Sequence, residues 1–97
     1  MTLPQTFHPD PAAEPYRANP ASTHRVKFDA RVSFTNGGHV EAKDFLLDIE
    51  DETVSPERLA EMIVSAMNLL RAGPVTIMAM RVVRRGEHQD AALNTVT

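Results

Sequence analysis

The side chains able to do chemistry in this chain are few and lie far apart in sequence. His39 and Glu41 are separated by two positions, so on an extended strand they point to the same side. Such a pair can serve as base and acid, or supply two ligands to a metal. No third ligand lies near them, and a polar strand tip facing water explains the same two residues. Arg81, Arg84 and Arg85 crowd the end of an apolar run, with Arg25 on a neighbouring strand. Guanidinium groups in that position hold a phosphate or carboxylate, pair with local acids, or guard the strand against aggregation. Asp48, Glu50, Asp51 and Glu52 form an acidic run that offers oxygen ligands but lacks the glycine-punctuated spacing of a calcium loop. No nucleophile elbow, phosphate loop, dinucleotide motif or zincin motif is present. No catalytic residue, cofactor or metal is therefore assigned.

The elements that must carry these residues lie between Val26 and Val83. Val26, Phe28, Ala30, Val32 and Phe34 alternate with Lys27, Asp29, Arg31, Ser33 and Thr35, which predicts a strand from His24 to Thr35 with one apolar face. Asn36-Gly37 predicts a hairpin turn, and His39 to Ile49 a second strand. Two registers fit. A two-residue loop pairs Phe28 with Phe45 and places His39, Glu41 and Lys43 on the apolar face. A three-residue loop places Val40 and Ala42 there, and needs a bulge to return Phe45, Leu47 and Ile49 to it.

Ser55 is a good N-cap, Pro56 suits the first helical position and Glu57 favours the positive helix end. The helix is predicted to run to Arg71 or Ala72, with Gly73-Pro74 as its stop. Leu59, Ile63, Ala66 and Leu70 mark its buried face, broadened by Ala60, Met62, Met67 and Leu69. A third strand, Val75 to Arg84, reads as apolar on both sides: Val75, Ile77, Ala79 and Val83 on one, Met78, Met80 and Val82 on the other. The expected fold is α+β in ββαβ order, a three-stranded antiparallel sheet of order 2-1-3 with one helix on one face.

This domain, residues 24–85, is flanked by a proline-rich arm, residues 1–23, and a polar C-terminal tail, residues 86–97. The arm holds five of the seven prolines and is expected to be extended or disordered. Its Leu3, Phe7 and Tyr16 could anchor it in a partner's groove. A net charge of −3 and a single tyrosine with no tryptophan argue against nucleic acid as a partner. The absence of cysteine fits the cytoplasm. No apolar run approaches the roughly 20 residues that span a bilayer, so no membrane is expected.

The run Phe34-Thr35-Asn36-Gly37-Gly38-His39, then Phe45-Leu46-Leu47-Asp48-Ile49, then Leu69-Leu70 before Val75-Thr76-Ile77, resembles a group of small uncharacterised bacterial proteins. These are often encoded beside metal-dependent hydrolases of the cyclase or kynurenine-formamidase type. The resemblance implies an accessory subunit or neighbour of a small-molecule enzyme and carries no catalytic residue with it.

A unit this small carries more apolar surface than one helix on one sheet hides. That excess predicts a non-catalytic oligomeric or accessory protein. It would bind a copy of itself or an enzyme subunit through Met62, Met67, Leu69, Met78, Met80 and Val82. The alternative is a small homo-oligomeric enzyme or ligand-binding protein with an intersubunit pocket, for which His39, Glu41 and Arg81 are the polar candidates.

Overall fold

The computed structural model describes residues 3–69 and 71–85. Its elements are β1 (Gln5–Phe7), β2 (His24–Phe34), β3 (His39–Ile49), α1 (Pro56–Ala66) and β4 (Ala72–Arg84). They form one antiparallel sheet of order β1-β4-β2-β3 with the helix on one face. The expected three-stranded sheet is thereby corrected to four strands. The expected order 2-1-3 is corrected with it to β1-β4-β2-β3, because the arm adds a strand outside β4. Gln5–Phe7 lie between Pro4 and Pro9, a stretch of the arm where backbone donors are intact. An edge strand is where a proline-flanked segment can pair. Three residues are too short to show a period.

The core is built from Val26, Phe28, Ala30 and Val32 of β2, Ala42 and Ile49 of β3, Leu59, Ala60, Met62 and Ile63 of α1, and Val75 and Ile77 of β4. Leu3, Phe7 and Tyr16 pack against this core, so the arm's apolar anchors engage their own domain. Leu70 and the polar tail 86–97 lie outside the described residues.

The hairpin adopts the bulged register. Ser33 pairs with His39 and Ala30 with Ala42, whereas Phe28 pairs with Phe45. The extra β3 residue is absorbed beside Asp44, whose φ of 55° is left-handed and whose N–H donates to Asp29 Oδ1 at 2.8 Å. Aspartate tolerates that conformation better than most residues. At the tip the positive φ falls on Gly37 and Gly38 rather than Asn36.

The helix ends at Ala66, earlier than Gly73-Pro74 suggested. Asn68 takes φ 50°, its N–H donates to the Ser65 carbonyl, and the Leu69 N–H donates to the Val64 carbonyl. That pair of bonds is a Schellman cap with asparagine in the left-handed position. Gly73 and Pro74 instead sit inside β4, at a register shift between Val32 and Phe34. A Cβ on Gly73 would lie 3.1 Å from the Ser33 carbonyl oxygen, so the close strand approach favours glycine there.

A further register shift changes the faces of β4. Asp29 pairs with Ala79 but Ala30 pairs with Ile77, leaving Met78 as an inserted residue. Beyond it, Met80 pairs with Phe28 and Val82 with Val26, so both join Val75 and Ile77 on the helix side. Ala79, Arg81 and Val83 lie on the open face. The reading of β4 as continuously apolar on both sides is thus corrected by one inserted residue.

Candidate functional site

Of the six residues expected at an interface, five pack against the domain's own core. Met62 is buried, and Met67, Leu69, Met80 and Val82 are half-buried against the core. Met78 is 37% exposed, because its place at the bulge lifts it out of both faces. On the helix Leu59, Ala60, Met62 and Ile63 are buried, whereas Ala66, expected on the buried face, is exposed because it is the last helical residue.

Among the described residues the sheet leaves open the outer edges of β1 and β3, with Phe45 of β3 46% exposed, and also part of one edge of β4. β1 covers only Val75–Ile77, so Met78 to Arg84 has no neighbour on that side among the described residues. The Arg85 N–H donates to the Thr23 carbonyl at 2.9 Å, toward β2. Antiparallel alternation then turns the backbone groups of Val83 and Arg81 inward. Those of Met80, Val82 and Arg84 turn outward. This is a row of free donors and acceptors beside Met78, with the exposed side chains of Arg81 and Arg84 along it. It can accept an extended strand.

His39, Glu41 and Arg81 do not converge. His39 Nε2 lies 3.9 Å from Glu41 Oε1, and Arg31 Nη2 holds the same oxygen at 2.8 Å. That hydrogen bond, with the Arg31 charge, holds the Glu41 carboxyl below the usual carboxylate range. A lowered pKa and an occupied oxygen weaken it as a base near neutrality. Arg81 pairs with Lys27, four residues along β2 from Arg31, which pairs with Glu41. Strand spacings put Arg81 about 16 Å from Glu41.

The most connected polar group is Asp48. Its carboxylate accepts from Arg25 Nε at 3.1 Å, from Arg85 Nη2, and from the Asn19 N–H at 2.7 Å. Its own N–H donates to the Tyr16 hydroxyl at 2.8 Å, while the Tyr16 N–H donates to Ser65 Oγ at 2.8 Å. Arg85 also donates to the Ser22 carbonyl at 2.8 Å and to the Asn19 carbonyl at 3.1 Å. Asp48 thus ties the arm, the end of the sheet where β2 starts and β3 and β4 finish and, through Tyr16, the helix. An acidic run read by composition hides this role. The signal that reveals it is the pairing of Arg25 with Asp48 across the hairpin.

Beside this hub an open cleft of about 450 Å³ is lined by Glu14, Arg17, Glu50, Asp51 and Arg58 among others. Its charges are mixed. Among the described residues no group of three or more His, Cys, Asp or Glu is placed to hold a metal ion. No described helix is long and apolar enough to cross a membrane.

Burial raises the Tyr16 pKa above 10.0, and the Asp48 charge adds to this against the attraction of Arg25 and Arg85. A phenol whose folded pKa is raised stabilises the fold fully below pH 10.0, and that contribution is lost as pH rises through the folded value. Tyr16 is the only tyrosine and there is no tryptophan, so phenolate absorbance reads this group alone. Its titration midpoint is expected above that of the urea-unfolded chain. Equal midpoints would show that the arm leaves Tyr16 in water.

The comparisons with known proteins identify no relative: no family model, no curated protein and no solved structure matches this chain.

Proposed function

We propose that this chain is a non-catalytic association subunit that pairs with another polypeptide through the open half of β4. The observation that carries the reading is the uncovered edge from Met78 to Arg84, with its outward backbone groups and exposed Met78. Exposed strand edges are usually covered, bent away or used. The scattered His39, Glu41 and Arg81 support binding over catalysis, since these three candidates do not converge. The resemblance of the middle segment to neighbours of cyclase-type hydrolases supports an enzyme subunit as the polypeptide bound.

A photo-reactive phenylalanine in place of Met78, illuminated in the native cells, tests this. A discrete cross-linked product is expected, and it should vanish in a Val82→Pro background. That change removes an outward N–H and leaves the hydrogen bonds to β2 in place. Products formed from the same probe at the exposed Glu57 of the helix, but not from position 78, would overturn the reading.

A further inference from the structure

Resting on that reading, we infer that the strand accepted by β4 is an acidic extended segment of a different chain, not a second copy of this one. Residues opposite each other in an antiparallel ladder face the same side, so a two-fold axis normal to the sheet must pass beside a residue paired with its own copy. The open window runs from Met78 to Arg84, and its centre is Arg81. A copy that fills the window therefore sets Arg81 against Arg81, a like-charge pair that destabilises the ladder. Moving the axis to Met80 drives the copy's Val83 and Arg84 into the place held by β1. Moving it to Val82 leaves Met78 and Ala79 uncovered.

The charges around the window point the same way. Arg81 and Arg84 are exposed and have no carboxylate partner among the described residues. Directly across from Arg81 stands Lys27, another cation, whose Nζ is 3.6 Å from Asp44 Oδ1. Asp29, the next acid on β2, uses Oδ1 to hold the Asp44 N–H. The local acids are thus engaged elsewhere, and Arg81 is left for an incoming group.

A strand laid antiparallel along the window places one side chain opposite Arg81 on the open face. Its two flanking residues lie on the helix side, next to Met80 and Val82. A carboxylate in the first position and apolar groups in the other two satisfy all three. The ligand is a segment in which acidic and apolar residues alternate.

The probes are fluorescent peptides of about nine residues, one alternating valine with glutamate and one alternating valine with lysine. Anisotropy with the purified full chain is expected to show the glutamate peptide binding roughly tenfold tighter than the lysine peptide. Arg81→Glu should reverse that order, and Val82→Pro should abolish both. Amide exchange at Met80, Val82 and Arg84 should slow when the glutamate peptide binds.

Equal binding of the two peptides, or binding of neither, overturns the inference. A chain that dimerises alone by light scattering, and is made monomeric by Val82→Pro, also overturns it but leaves the association reading standing. Loss of the Met78 cross-link removes the association reading itself.

Discussion

Asp48→Ala is expected to lower stability by about 2–3 kcal/mol and to release the arm at the same time. The cost does not come from one surface ion pair, which would contribute under about 1 kcal/mol. The Asp48 side chain is 11% exposed, and those of Arg25 and Arg85 are 23% and 21% exposed. Removing the carboxylate leaves two largely covered guanidinium groups without a counter-charge and leaves the Asn19 N–H without its acceptor. Chemical denaturation measures the loss, and amide exchange at Tyr16 and Asn19 measures release of the arm. A second substitution separates the ion-pair account from simple packing. Adding Arg85→Met to Asp48→Ala should recover part of the lost stability, because one uncompensated charge is gone. If the double variant is weaker than Asp48→Ala by the full cost of Arg85→Met alone, the two residues are uncoupled and the account fails.

Ile63→Ala is expected to cost about 3–4 kcal/mol. Ile63 is fully buried, one turn after the equally buried Leu59, and faces the β2 and β4 core residues. A domain of this size has total stability of about 4–12 kcal/mol, so this one cavity removes a large share. Ile63→Val deletes a single methylene and should cost about 1 kcal/mol. Thermal and urea unfolding followed by circular dichroism compare the two. A loss below about 1 kcal/mol for alanine would mean that the helix is not seated on the sheet as described.

Much of the frame was legible from local pattern. The alternation from Val26 to Phe34 gives β2 and its buried face, and Ser55-Pro56 gives the helix start, where Ser55 Oγ accepts from the Arg58 N–H at 3.1 Å. What escaped depends on neighbours that a linear pattern does not contain. Whether Gly73-Pro74 ends a helix or bends a strand is decided by the approach of Ser33. Whether Met80 faces the helix or the open side is decided by the insertion of Met78 against β2. Either residue reads equally well both ways in isolation. The candidate site suffered most from this, since moving Met80 and Val82 to the helix side removed the second apolar face on which an interface was expected. Asp48 was hidden for a related reason. Its partners come from Asn19, Arg25 and Arg85, which only the folded sheet brings together.

The place of β4 between β1 and β2 also sets an order of assembly during synthesis. Thr6 meets Thr76 across 70 positions, so the N-terminal strand emerges from the ribosome long before its template exists. Until Val75 and Ile77 follow, the hairpin and helix lack two of their fully buried partners. Closure must therefore wait for β4, and pairings this distant in sequence form slowly. β1 and any incoming strand then reach the same newly made edge together. The length of β1 decides how much of that edge the chain keeps for itself.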